Sequence, residues 1–325
     1  MPKLSSMLLS VTAAVLAVTS LTAPAAAQAD YPNRPVRLVI PFPPGGSNDV
    51  VGRMIGTQLT EQLGKQVVVD NRAGAGGVVG TEIVSKAAPD GYTLLVISLA
   101  HAVNPWLYKL PYDPIKAFAP VGVMGSGPNV LVVHPSLPVN TTQELIALAK
   151  SKPGDLQYAS AGIGSFQHLG SELFKLTAKV DILHVPFKGG GPAMTDVLGG
   201  HTKIMFSSLV QTTPHIKSGR LRALGTGGEK RNAVLPDTPT ISEGLPGYQA
   251  VNWWGIVAPA GTPPAIIAKL HAALSAAQNS EAVTKQFASE GAEVVRMSTP
   301  QFGEFMVSEM NKWERVVKEG GIKAE

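Results

Sequence analysis

Three segments of this 325-residue chain combine residue types that bind anions: Pro41-Phe42-Pro43-Pro44-Gly45-Gly46-Ser47-Asn48-Asp49, Ser160-Ala161-Gly162-Ile163-Gly164-Ser165 and Phe187-Lys188-Gly189-Gly190-Gly191. Each reads as a strand running into a Gly/Ser/Pro loop that opens a helix. A helix start leaves backbone N–H groups unpaired and carries the positive end of the helix dipole, so it holds an anion without a cationic side chain. Glycine lets ligand oxygens approach the backbone, while Ser47, Asn48 and Ser165 add side-chain donors. One such loop is an ordinary tight turn. Three in one chain point to a shared anion site.

Enzyme chemistry finds little support. The seven histidines (101, 134, 168, 184, 201, 215 and 271) never fall at the i, i+4 spacing of a metal-binding helix. G-x-S-x-G is absent, since Ser126 has Met124 where the first glycine belongs. Gly74-Ala75-Gly76-Gly77-Val78-Val79 fails the dinucleotide spacing because Val79 replaces the third glycine. With 0 cysteines, thiolate metal sites, disulfides and cysteine nucleophiles are excluded. No catalytic residue, metal or cofactor is expected. His168, early in the helix after Ser165, is the histidine best placed to reach a site. His101, just past a strand end, lies where α/β sheets put ligands. Asp49 sits where a helix start uses a carboxylate as a cap. The net charge of +4 is spread without basic runs, so no nucleic-acid partner is expected.

The elements that would carry these loops alternate. Val36–Ile40 reads as a buried strand, and Val50, Val51, Met54, Ile55, Leu59 and Leu63 form the apolar stripe of the following helix. Strands then follow at 66–70, 92–98, 121–123, 130–133, 156–160, 181–186, 203–206 and 220–226, most of them separated by loop and helix. Thr141-Thr142-Gln143-Glu144 is a capping box. From Pro263 onward the reading is mostly helical. Strand–loop–helix alternation is the rhythm of parallel α/β units. It predicts two α/β lobes, 30–128 plus 251–325 and an inserted 129–250, with the chain crossing between them at Gly125–Asn129 and Tyr248–Asn252.

Residues 1–29 read as an export signal. Lys3 supplies a positive start, Met7 to Val18 an apolar stretch, and Ala25-Ala26-Ala27-Gln28-Ala29 two small-x-small cleavage sites, after Ala27 or Ala29.

An ordered set of motifs resembles a known family. It includes Tyr31-Pro32-Asn33-Arg34-Pro35-Val36, the Pro41–Asp49 segment, Asn71-Arg72-Ala73-Gly74-Ala75-Gly76-Gly77, Pro89-Asp90-Gly91-Tyr92-Thr93-Leu94 and Ser160–Ser165. It continues with His184-Val185-Pro186-Phe187-Lys188-Gly189-Gly190, Pro214-His215-Ile216-Lys217-Ser218-Gly219 and Ala258-Pro259-Ala260-Gly261-Thr262-Pro263. The set resembles the Bug family, extracytoplasmic solute receptors of tripartite tricarboxylate transporters. That resemblance implies a type II-like periplasmic binding protein whose two α/β lobes, joined by a two-crossing hinge, close over a small carboxylate. It implies that Phe42, Gly46, Ser47, Asn48 and Asp49 grip the ligand from one lobe, and Ser160, Gly162, Gly164, Ser165 and His168 from the other. Pro186–Gly190, including Lys188 and Gly189, would line the cleft together with Ser207; Asn104 and His101 would form its floor. Many members carry an acidic residue just after the phenylalanine in the place of Phe206. Here Ser207-Ser208 stands there, which argues against a ligand needing a salt bridge to an ammonium group.

The expected protein is a monomeric periplasmic receptor that passes a di- or tricarboxylate or an aromatic acid to membrane permease subunits. Two alternatives stay open: an adaptor for a membrane sensor kinase, and a receptor for an amino acid.

Overall fold

The computed structural model describes residues 30–319 and 321–323; the export signal and its cleavage sites, in 1–29, lie outside the described residues. The first half of the fold starts with strand β1 (Val36–Ile40), helix α1 (Ser47–Leu63), β2 (Val67–Asn71), α2 (Val78–Ser85), β3 (Thr93–Ser98) and α3 (Leu99–Leu107). β1 pairs in parallel with both β2 and β3. β1 and β3 are mostly apolar and buried, as central strands covered on both faces must be, whereas the edge strand β2 is half-buried and exposes Val68.

The chain then makes one long strand, β4 (Phe118–Val133). Its Phe118–Pro128 portion pairs antiparallel with the last strand, β9 (Val251–Pro259), and from Asn129 it pairs with β7 (Ile204–Ser208) and with β8 (Arg222–Thr226). β9 in turn pairs with β3. The second half adds α4 (Thr142–Ser151), β5 (Gln157–Ser160), α5 (Phe166–Ala178), β6 (Leu183–Pro186), α6 (Gly190–Leu198), α7 (Leu209–Lys217) and the short α8 (Ile241–Gly244). The strand order β2-β1-β3-β9-β4-β7-β5-β6 runs through both halves. Each half is an α/β lobe, and the backbone passes between them inside β4 and just ahead of β9.

Two strands read separately at 121–123 and 130–133 are thus one. Gly125, Gly127 and Pro128 suggest a turn, but Gly125 serves close approach instead: a Cβ there would lie 2.4 Å from the Phe287 ring and 2.6 Å from the Glu293 carbonyl. The strand keeps its course through two register shifts. α3 carries Pro105 in its last turn and follows β3 without a loop, so the sequence shows no boundary to mark it.

The C-terminal helices α9 (Pro264–Asn279), α10 (Glu281–Ser289) and α11 (Thr299–Glu319) return to the first lobe. α11 buries Phe302, Met306, Met310, Trp313 and Val317, a helical stripe, against α3 and β4. Its Glu309 is buried and accepts hydrogen bonds from the indoles of Trp253 on β9 (3.0 Å) and Trp313 (3.2 Å). Phe302 packs edge-on against Trp253 with ring centroids 6.1 Å apart. The helix therefore braces the strand that carries the second crossing.

That bracing predicts a large cost for removing one ring. Phe302→Ala should lower unfolding stability by about 3 to 5 kcal/mol, the range for deleting a buried phenylalanine. Urea titration measures it, and a loss below about 1 kcal/mol would show that α11 does not hold β9 in this way.

Candidate functional site

The C-terminal ends of β1 and β3, the loop after β5 and the start of α6 meet across the space between the lobes. There they surround a small cavity that opens between the lobes. Phe42, Gly46, Ser47, Asn48, Ser98 and Ala100 line it from the first lobe, Ala161, Ser165, Phe166, Gln167 and Gly190 from the second, and Asn252 from β9.

On the first-lobe side Gly46 is the N-cap of α1. The N–H groups of Asp49 and Val50 turn back to the Gly46 carbonyl, leaving those of Gly46, Ser47 and Asn48 without a backbone acceptor. Asp49 lies behind them. Its Oδ2 accepts from the Gly45 N–H (3.0 Å), and its Oδ1 accepts from Arg53 Nε and Asn71 Nδ2 (both 2.9 Å). Burial alone would raise its pKa, but the hydrogen bonds from Arg53, Asn71 and Gly45 outweigh burial and hold it below the ordinary carboxylate range. Asn48 donates Nδ2 to Ser98 Oγ at 3.3 Å, which leaves the Ser98 proton free to point elsewhere.

The second-lobe loop spends much of its hydrogen bonding on itself. Gly162 N–H goes to Ser160 Oγ (3.0 Å), Ser165 N–H to the Gly162 carbonyl (3.1 Å) and Gly164 N–H to His168 Nδ1 (3.2 Å). Ser165 caps α5 by accepting from His168 N–H at 3.3 Å. The N–H groups of Phe166 and Gln167 remain for the cavity, together with the Ser165 hydroxyl proton. A column of rings supports the loop from behind: Tyr158 stacks on His184 at 4.9 Å, and His184 stacks on His168 at 4.3 Å. His184 Nε2 contacts Ser160 Oγ at 2.6 Å. Because His168 Nδ1 accepts a hydrogen bond, that ring is neutral, and burial depresses it to about 4; burial takes His184 to about 3.

The third helix start, at Gly190, is fixed from beneath. Gln211 donates Nε2 to the Gly190 carbonyl (2.7 Å) and accepts from Ser207 Oγ (2.9 Å). Here the lobes touch. A Cβ on Gly191 would fall 2.3 Å from the Pro44 carbonyl oxygen, and one on Gly189 2.4 Å from the Pro43 ring. On the opposite flank, the Tyr108 hydroxyl of the first lobe donates to the Ile163 carbonyl of the second at 3.2 Å.

Of the sequence candidates, Phe42, Gly46, Ser47, Asn48 and Ser165 line the cavity. The others stand apart from it. Asp49, Ser160, Gly162, Gly164 and His168 shape the two loops from behind, because their polar atoms already pair with one another or with Arg53, Asn71 and His184. Ser207 is fully buried and acts on Gly190 through Gln211. Gly189 abuts Pro43, and Lys188 is exposed. His101 is a core residue: it sits inside α3, its Nε2 bonds the Pro114 carbonyl at 2.8 Å, and burial lowers its pKa to about 4. Asn104 donates to the Gly76 carbonyl at 3.1 Å rather than lining the cavity. Sequence reasoning missed Ser98, Gln167, Gly190's partner Gln211 and Asn252. Only Ser98, at a strand's C-terminal end, carried a positional signal; Asn252 looked like part of a linker.

A sequence model of the family described as "Tripartite tricarboxylate transporter family receptor" matches residues 51–322. Protein BugT of Bordetella pertussis is 40% identical over 320 residues, covering 97% of this chain and 98% of BugT. The solved structure of Rhodopseudomonas palustris Rpa4515 with adipate is 36% identical, with a TM-score of 0.88, and covers 91% of this chain and 100% of that one. MatC from Rhodopseudomonas palustris with bound malate is 35% identical, with a TM-score of 0.84, over 88% of this chain and 100% of that one. The shared fold is that of periplasmic binding proteins.

Three imidazoles buried in the neutral form set a pH signature. Below about pH 6.5 the unfolded chain takes up protons at His101, His168 and His184 that the folded chain, with pKa values near 4, 4 and 3, does not. Stability should therefore fall by several kcal/mol between pH 6.5 and 4, beginning well above the carboxylate range. Urea midpoints at pH 7, 5.5 and 4.5 test this. A flat profile from pH 7 to 5 would mean that protons reach these rings in the folded state.

Proposed function

The chain belongs to the tripartite tricarboxylate transporter receptor family, and we propose that it captures a small carboxylate between its two lobes, in the periplasm, and delivers it to membrane permease subunits. One observation carries the ligand class. Residues at three helix starts, Gly46–Asn48, Phe166–Gln167 and Gly190, line one interlobe cavity, and their N–H groups have no backbone acceptor among the described residues. Three positive dipole ends and the Ser165 hydroxyl suit carboxylate oxygens. Among the described residues the lining contains no charged side chain, so an amino acid would bury its ammonium group without a counter-charge, at a cost of several kcal/mol.

The lobes are assigned to 30–128 plus 251–325 and to 129–250, since β4 changes partners at Pro128/Asn129 and β9 begins at Val251. Export through residues 1–29 would deliver the chain to the periplasm. Binding is stoichiometric, without turnover, and the working partner is a permease rather than a sensor kinase. Crosslinking in membranes that carry the candidate permease would separate those two partners.

A thermal-shift panel of mono-, di- and tricarboxylates, aromatic acids and amino acids tests the ligand class, because a ligand at 100 times its Kd adds roughly 2.7 kcal/mol. A plain carboxylate should give the largest shift. For that acid, Ser165→Ala should weaken binding by about 1 to 3 kcal/mol by calorimetry. Exclusive response to glutamate or aspartate would overturn the assignment.

Closure has its own test. Gly191 occupies the second position of α6, where alanine is a better helix former, yet its Cβ would collide with Pro44 only when the lobes meet. Gly191→Ala should fold at least as stably as the parent, bind the best carboxylate at least ~10-fold more weakly, and lose the ligand-induced decrease in radius of gyration. Undiminished affinity would show that binding does not require this closed contact.

A further inference from the structure

Asn252 is 1% exposed and lines the cavity, but its Oδ1 is buried without a hydrogen-bond partner. A buried acceptor left unpaired is costly and is retained where something fills it. Nothing across the sheet can do so: Asn252 stands opposite Gly127, which has no side chain. The donors of the wall are the helix-start N–H groups, the Ser47 hydroxyl, the Ser165 hydroxyl, which already accepts from His168, and the Ser98 hydroxyl, which already accepts from Asn48. The amide oxygens of Asn48 and Gln167 also line the wall, but of these acceptors Asn252 Oδ1 is the one both buried and unpartnered. A carboxylate satisfies the donors and cannot satisfy Asn252 Oδ1, because it has no hydrogen to give.

Building on the carboxylate reading above, we propose that Asn252 is a specificity-determining residue that selects a carboxylate bearing a hydroxyl group, of the 2-hydroxy-acid class. The hydroxyl donates to Asn252 Oδ1. The neighbouring Asn252 Nδ2, which makes no hydrogen bond with the described residues, donates to the adjoining carboxylate oxygen. The amide thus reads donor and acceptor side by side. An ammonium could also donate to Oδ1, but its charge would face only neutral oxygens in a wall without carboxylates.

Calorimetry on the mature chain with succinate against malate, glutarate against 2-hydroxyglutarate, and aspartate and glutamate decides the matter. The hydroxylated member of the pair that fits the cavity should bind at least ~10-fold tighter than its plain counterpart, the scale of one hydrogen bond to a buried polar group. Asn252→Ala removes both amide contacts, so it should weaken both acids and erase the preference, the hydroxylated acid losing at least ~10-fold more than its plain counterpart. Asn252→Asp keeps the shape and adds a negative charge, so it should weaken both acids and raise the relative affinity of the 2-amino acid; it decides the question should the alanine variant fail to fold by circular dichroism. Equal affinity within every pair would put a water at Asn252 Oδ1 and overturn the assignment, as would a preference that survives in Asn252→Ala. Failure of every acid to bind would overturn the carboxylate reading itself, and this inference with it.

Discussion

Everything at the site depends on keeping backbone N–H groups unpaired and aimed at the same point. An α-helix cannot satisfy its first N–H groups internally, and this chain points three such ends into one cavity. The groups just behind those ends are satisfied in full. Asp49 takes the Gly45 N–H, Ser165 caps its own helix, and Gln211 holds Gly190 by its carbonyl. Each support leaves the cavity-facing donors free by occupying what lies next to them. The polar side chains around the cavity therefore divide into a few that face it and more that hold the loops.

That division explains what was legible in the sequence. Strand–glycine loop–helix patterns at Pro41–Asp49 and Ser160–Ser165 marked two of the helix starts that border the cavity, since helix starts are local features. The α/β class was equally plain, because alternation of strand and helix is written in hydrophobic period. Which members of each loop face the ligand was not legible. Gly162 and Gly164 look like open backbone donors, yet His168 and Ser160 reach back to take their N–H groups. Those bonds depend on rings stacked from β6 and α5, a tertiary fact. Gln211 and Asn252 were invisible for tertiary reasons too: Gln211 acts on Gly190, distant in the chain, and only the packing of the two lobes brings Asn252 to the cavity. β9 was hidden as well, because its Trp253-Trp254 pair reads as hinge packing until Glu309 and Phe302 of α11 are in place around it.

The buried histidines hold the second-lobe loop in place. His184 sits between Tyr158 and His168 in a stack with ring planes within 17° of parallel, and its Ser160 contact fixes the turn that orients Ala161. Burial keeps both imidazoles neutral, so the stack avoids like-charge repulsion and His168 keeps its acceptor for Gly164. A neutral, hydrogen-bonded column places the loop without adding a charge that would compete with the helix dipoles for the anion.

The same arrangement supplies a driving force for closure. Without an anion, bringing three positive helix ends together is unfavourable, and their N–H groups would lose water on closing. On the proposed reading, a carboxylate held between these helix starts would reverse both terms, since its oxygens would replace the water and its charge would offset the dipoles. Because donors come from both lobes, the anion binds the closed arrangement better than the open one, which is the condition for a ligand to shift a conformational equilibrium. The glycine contacts at Pro43–Gly46 and Gly189–Gly191 let that preference be expressed. With a glycine on the second-lobe side of each contact, the loops approach as closely as the Pro43 ring and the Pro44 carbonyl allow. The Tyr108–Ile163 bond adds a neutral contact on the other flank, formed only when the lobes are together. On the proposed reading, closed shape would report occupancy, and a membrane partner that recognised surface from both lobes could distinguish a loaded receptor from an empty one without touching the ligand.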